Sequence, residues 1–140
     1  MDTTHTRLLL VDDYADALEV WSLYLRMQGF EVVTAVDGED AVEMAHRTLP
    51  DLIILDLELP RLSGCDAARR LRAADDTARI PMIAATGHSI GTLLNDAKLA
   101  GFDAVLTKPC DPDMLMSEIE RLLTPPASAS ADGYTATVNR

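Results

Sequence analysis

Basic residues are scarce in this chain of 140 residues: 12 against 23 acids, for a net charge of -11. A surface that negative repels a phosphate backbone, so nucleic acid is not an expected partner. Cysteine is nearly absent as well. Cys65 and Cys110 have neither metal-ligand spacing nor the dense framework of a disulfide scaffold, and a reducing cytoplasm is the simplest compartment for such a chain. No apolar run approaches the length of a membrane span, and the N-terminus lacks a charged segment followed by an apolar signal core. The expectation is a soluble protein with no membrane partner. Internal repeats are missing too, and the length suits one domain with a single core.

What is present is an alternation of short apolar runs and amphipathic stretches. Arg7 to Val11 (RLLLV) reads as a buried strand ending at Asp12-Asp13. In Tyr14 to Gln28, Ala17, Val20, Trp21, Tyr24, Leu25 and Gln28 fall at helical spacing, and Gly29 supplies a stop. Phe30 to Thr34 alternates as a strand, and Gly38 to Thr48 is helical, with Ala41, Val42 and Ala45 on one face. Leu52 to Leu55, between Pro50 and Pro60, is apolar without alternation, as expected for a central parallel strand covered on both sides. A helix from Ser63 or Gly64 to Ala73 follows, then a strand at Ile80 to Ala85 and a helix at Ile90 to Ala100 ending at Gly101. The last pair is a strand at Ala104 to Leu106 and a helix from Asp111 and Pro112 to Leu123. Five strands alternating with five helices predict a doubly wound α/β fold. Residues 7–123 are read as the domain, 1–6 as an N-terminal extension, and 124–140, small and polar with two prolines, as a disordered tail.

The ends of the strands carry the chemistry. Asp12 and Asp13 end the first strand and Asp56 the third, and in an open parallel sheet ligands bind beyond the carboxyl ends. Two readings are open: turn and helix-cap acids, with Asp13 capping the helix that starts at Tyr14, or a carboxylate cluster at one edge. If the strands are neighbours, three carboxylates converge and repel, and a divalent cation removes the conflict. A cluster of oxygens with no His or Cys suits a hard ion such as Mg²⁺. Thr86, followed by Gly87, ends the fourth strand, and Lys108, followed by Pro109, ends the fifth. A hydroxyl, an accessible N–H and an ammonium at the same edge point to phosphate.

With Asp12-Asp13, Asp56 followed by Pro60 and Gly64, Thr86, and Lys108-Pro109 in register, residues 7–123 resemble the receiver domain of two-component response regulators. The length is similar to that of the chemotaxis regulator. The resemblance implies a flavodoxin-like five-stranded parallel sheet, for which 2-1-3-4-5 is the general strand order. It further implies that Asp56 is the phosphoacceptor and that the Lys108-Pro109 peptide is cis. Mg²⁺ would be bound by Asp13 directly, by Asp12 through water, and by Asp56 and the backbone carbonyl of Glu58. Lys108, the Thr86 hydroxyl and the Gly87 N–H would take the phosphoryl oxygens, and the donor would be a sensor histidine kinase or histidine phosphotransfer protein. Beyond its own phosphorylation and dephosphorylation, no enzymatic activity is expected. With no output domain recognised, signalling would pass through protein contacts, from a monomer or weak dimer.

Several positions depart from the family pattern or need a separate account. Val105 stands where the family has Tyr or Phe, so the usual aromatic partner of the threonine is missing and output is expected through backbone shifts from Thr86 to Ala100. Glu58 and His88 are placed to overhang a phosphoryl group and control hydrolytic water. Gly87-His88-Ser89-Ile90-Gly91 fits the G-x-S-x-G nucleophile elbow, which offers a serine hydrolase as an alternative, but no histidine follows Ser89. A receiver that never carries phosphate and serves only for docking is the other alternative. Tyr14, Ala17 and Leu18 could supply an apolar contact to the kinase, while Trp21 and Tyr24 are expected to pack on the sheet. The two cysteines are expected as core fillers, and Arg69, Arg70 and Arg72 as solvated helix faces.

Overall fold

The structure, a computed structural model, describes residues 5–87 and 90–124. His88, Ser89, the tail from 125 onward and the first four residues lie outside the described residues. Among the described residues, five strands form one parallel sheet in the order β2-β1-β3-β4-β5. They are β1 (Arg7–Val11), β2 (Glu31–Ala35), β3 (Leu52–Asp56), β4 (Met82–Thr86) and β5 (Ala104–Thr107). The helices are α1 (Ala15–Met27), α2 (Gly38–Thr48), α3 (Gly64–Ala73), α4 (Ile90–Ala100) and α5 (Pro112–Leu123). None of them is long and apolar enough to cross a membrane.

Every residue of β3 and β4 is buried, as their unbroken apolar runs require of strands covered on both faces. On one face, Ala41 and Ala45 of α2, Ala67, Ala68 and Leu71 of α3, and Ala97 and Ala100 of α4 pack on Leu9, Ile53, Leu55 and Met82. So many alanines bring the helix axes close to the sheet. The other face is built from larger side chains, with Leu25 of α1 and Leu115 and Ile119 of α5 meeting Leu8, Leu10, Ile54 and Ile83. Trp21 and Tyr24 pack at its margin with rings edge to face at 5.7 Å.

Local signals set the helix ends. Asp37 caps α2 by accepting the Asp40 N–H at 2.7 Å, Ser63 caps α3 through Asp66 N–H, and Asp111 caps α5 ahead of Pro112. Gly29 and Gly101, at φ 100° and 103°, follow α1 and α4 in the left-handed region. Two expectations about element ends are corrected. β4 starts at Met82 rather than Ile80, because Pro81 has no N–H to give the ladder and the Ile80 N–H is held in a turn by the Thr77 carbonyl. Asp13 does not cap α1: Tyr14 is the N-cap residue, without a side-chain cap bond, and it is Asp12 Oδ1 that accepts the Tyr14 N–H at 2.9 Å.

Arg72 is not a solvated helix residue. Its guanidinium donates to the carbonyls of Ala78, Ile80 and Gly101 and to Asp103 Oδ2, at 2.6 to 3.0 Å. It thus ties together the turns leading into β4 and β5. Arg-to-Lys cannot reproduce that planar fork. Arg72→Lys is therefore expected to destabilise the domain by about 1–3 kcal/mol, read as a lower urea midpoint at unchanged slope; an unchanged midpoint contradicts this role.

Candidate functional site

Parallel strands end on the same edge, and register decides which ends meet. Val11 pairs with Leu55, and each is followed by an acid, so Asp12 and Asp56 stand side by side. The Asp12 N–H continues the ladder to the Ala35 carbonyl at 3.2 Å, and the Leu57 N–H does so to Ala85 at 3.0 Å. Both acids are therefore fixed by backbone before any side-chain bond forms. Oxygens of Asp12, Asp13 and Asp56 all lie within 4.8 Å of one another; Asp12 and Asp56 are buried and Asp13 is exposed.

Lys108 arrives from the far side of the sheet. Its N–H donates to the Thr86 carbonyl at 2.7 Å, and its Nζ donates to Asp12 Oδ2 at 3.0 Å and Asp56 Oδ2 at 2.9 Å. The Lys108-Pro109 peptide is cis, as the resemblance implied. The remaining oxygens are held as well: Asp56 Oδ1 accepts the Glu58 N–H at 3.0 Å. Burial pushes the Asp56 carboxyl above its ordinary range; the Glu58 N–H and the Lys108 ammonium pull it back in part, and Asp12 adds to the rise. Burial pulls on Lys108 in the opposite sense, but its bonds to Asp56 and Asp12 outweigh that, so its pKa is raised and it remains an ammonium.

Thr86 is fully buried at the end of β4, one position beyond Ala85, the register partner of Asp56. Gly87 is exposed, and a Cβ built on it would meet nothing nearer than Glu58 Oε1 at 3.8 Å. The Glu58 side chain therefore reaches from the end of β3 toward the end of β4. His88 and Ser89, and with them the G-x-S-x-G segment, lie outside the described residues. Val105 is completely buried. Cys65 and Cys110 are half-buried thiols, both pushed up by burial, which agrees with filler roles.

One site feature was not anticipated. A Cβ at Gly38 would lie 1.8 Å from the Leu62 carbonyl oxygen, and one at Gly64 would lie 2.3 Å from the Asp56 carbonyl oxygen. The first turns of α2 and α3 thus press against the two ends of the loop that follows Asp56. Gly64 was expected from the resemblance, Gly38 only as a helix start. The available signal was a glycine, the poorest helix former after proline, directly after the Asp37 cap.

This edge has the composition of an oxyanion and metal site: hard oxygen donors with one side open to solvent, and an ammonium facing them. A family profile described as the response regulator receiver domain matches residues 8–120, and the chain belongs to that family of two-component signalling domains. The receiver domain of the sensor histidine kinase PA1611 from Pseudomonas aeruginosa, solved with magnesium coordinated in its active-site cleft, has a TM-score of 0.80. It is 32% identical over 85% of this chain and 98% of that one. The chemotaxis response regulator CheY4 of Vibrio cholerae matches with a TM-score of 0.80 at 28% identity, over 86% of this chain and all of that one. Among curated proteins, the transcriptional regulator RpaA of Synechocystis is 36% identical over 84% of this chain and 48% of its own length. PrrA of Mycobacterium tuberculosis is 37% identical over 99% of this chain and 60% of its own length. The chain spans about half the length of the curated relatives it matches. Receiver domains signal through phosphorylation and bind Mg²⁺ in the acidic pocket, and the Asp12, Asp13 and Asp56 cluster fits that ion.

Because the fold raises the Asp56 pKa, the folded state holds the proton more tightly than the unfolded one, and stability falls as pH rises through the carboxylate range. Asp56→Asn is the same shape without the charge. In metal-free buffer at neutral pH it is expected to raise the melting temperature, with the gain shrinking as pH falls through that range. A lower melting temperature at neutral pH contradicts this.

Proposed function

We propose that Asp56 is the phosphoacceptor and that residues 7–123 take a phosphoryl group from a sensor histidine kinase or a histidine phosphotransfer protein. The observation that carries this reading is the convergence of Asp12, Asp13 and Asp56 with the Lys108 ammonium between two of them. An Asp56 carboxylate oxygen attacks the phosphorus of a phosphohistidine; the P–N bond breaks, its electron pair returns to the imidazole, and an acyl phosphate remains on Asp56. Such a transfer depends on positioning and charge neutralisation more than on covalent help. Asp13, Asp12, Asp56 and the Glu58 carbonyl would hold Mg²⁺, which supplies neutralisation of the phosphoryl oxygens.

The chain's own groups do the rest. The Glu58 N–H fixes one Asp56 oxygen and so orients the other. Lys108, freed from Asp56 as the acyl phosphate forms, pairs with a phosphoryl oxygen, and the Thr86 hydroxyl and Gly87 N–H take others. Val105 leaves no aromatic rotamer to follow Thr86, so the response travels through the backbone from Thr86 into α4. Protein contacts are the proposed output of these residues, in the cytoplasm where kinase donors act. The DNA binding in the relatives' names concerns proteins of which this chain spans about half.

The test is labelling by acetyl phosphate. Intact-mass spectrometry is expected to show one phosphoryl increment that needs Mg²⁺ and is lost in Asp56→Asn. Labelling that survives in that variant, or a parent protein that is never labelled, overturns the assignment; the latter would favour the docking-only receiver. Capture of Ser89 by a serine-reactive probe would instead favour the hydrolase. Glu58 and His88 govern the other half of the cycle: Glu58→Ala and His88→Ala are each expected to change the acyl-phosphate lifetime severalfold. Lifetimes equal to the parent's in both variants remove that role.

A further inference from the structure

Behind the acid cluster lies a cavity that phosphoryl transfer does not use. It measures about 440 Å³ and runs between the sheet and the facing sides of α1 and α5. Leu10, Ile54 and Ile83, neighbours in register on β1, β3 and β4, form its floor. Ala17 and Trp21 of α1 and Leu115 of α5 form its walls. At one end it reaches Asp12, Asp56 and Lys108. A mostly apolar hollow of this size, with charged groups gathered at a single end, has the build of a small-molecule site.

Charge at that end decides the ligand. Among the described residues, Lys108 Nζ donates to Asp12 and to Asp56, and the four oxygens of these two carboxylates take hydrogen bonds from Lys108, Tyr14 and Glu58. A carboxylate oxygen has two lone pairs, so acceptor capacity remains. With Asp13 alongside, three carboxylates face one ammonium, and the field there attracts a cation and repels an anion. We propose that this cavity binds a small amphiphile with an apolar or aromatic body and an ammonium head. The body lies against Trp21 and Ala17, and the head donates to Asp12 and Asp56. Ala17 leaves room beside Trp21, and a larger side chain there would project into the space the body needs.

Because the head uses carboxylates that also belong to the proposed metal site, such a ligand and Mg²⁺ oppose each other, each weakening the other by the same factor. If Asp56 is the phosphoacceptor, occupancy also holds the domain in an unphosphorylated state; the binding claim itself does not depend on that.

Trp21 is the chain's single tryptophan and lines the cavity, so its emission reports occupancy directly. The full chain is titrated with 2-phenylethylammonium, 2-phenylethanol and 3-phenylpropanoate. The ammonium probe is expected to shift Trp21 emission saturably and to bind about tenfold more tightly than the alcohol, with the carboxylate weakest. Saturating Mg²⁺ should weaken the ammonium probe about tenfold and leave the alcohol unchanged. Ala17→Leu should cost about tenfold or more in probe affinity while Mg²⁺ binding, followed by calorimetry, stays as in the parent. If Ala17→Leu does not fold, Cys110→Leu fills the cavity from the α5 side and is held to the same outcome. The proposal is overturned by a lack of saturable binding, by equal affinity for all three probes, by an absence of competition with Mg²⁺, or by a filled-cavity variant that binds like the parent.

Discussion

Three carboxylates crowd one edge of the sheet, and the rest of the site is an answer to their repulsion. The Lys108 ammonium reaches Asp12 at 3.0 Å and Asp56 at 2.9 Å and offsets part of it. Burial still leaves the Asp56 carboxyl above its ordinary range, so its charged form stays disfavoured despite the ammonium. An edge left in that state favours whatever brings more positive charge. A divalent ion and the proposed organic ammonium would be two solutions to the same deficit. Under the proposed function, the phosphoryl group is the anion that becomes acceptable once such charge is supplied.

The fold makes that deficit by geometry. Parallel strands in the order β2-β1-β3-β4-β5 deliver the ends of β1, β3, β4 and β5 to one rim, and backbone bonds through Asp12 and Leu57 lock the two buried acids in place. The loop after Asp56 is held between the first turns of α2 and α3, where Gly38 and Gly64 allow backbone contacts that no side chain could tolerate. Opposite faces of the sheet serve different ends. The alanine-rich face packs tightly under α2, α3 and α4, whereas the α1 and α5 face, made of larger groups around Ala17, leaves a hollow. Substitutions on the first face would act through stability, and those on the second through what the hollow admits.

The sequence was most informative where one force acts alone. Unbroken apolar runs at Leu52–Leu55 and within Arg7–Val11 marked buried strands because burial on both faces leaves no room for alternation. The helix starts at Ser63 and Asp111 showed in composition because each caps its helix and answers a local shortage of hydrogen-bond partners, whereas the Asp37 cap came only with the structure. Asp12, Asp13, Asp56 and Lys108 could be grouped because each sits at the end of a strand, and parallel strands share an edge. Where tertiary contacts decide, the sequence was silent. Arg72 looks like its exposed neighbours Arg69 and Arg70 until Gly101 and Ile80 fold over it. The start of β4 followed the missing N–H of Pro81 rather than the apolar run. The approach of Gly38 to Leu62 joins residues that no pattern links, and the hollow beside Trp21 is a property of packing.

The account rests on remote acids acting as one cation site next to the Lys108 ammonium. A Mg²⁺ titration followed by backbone amide NMR tests this most directly. The account predicts saturable shifts gathered at residues 12–13, 56–58, 86–87 and 108, and their loss in Asp13→Asn. Shifts scattered over the acidic surface without saturation, or a full response in Asp13→Asn, would contradict it.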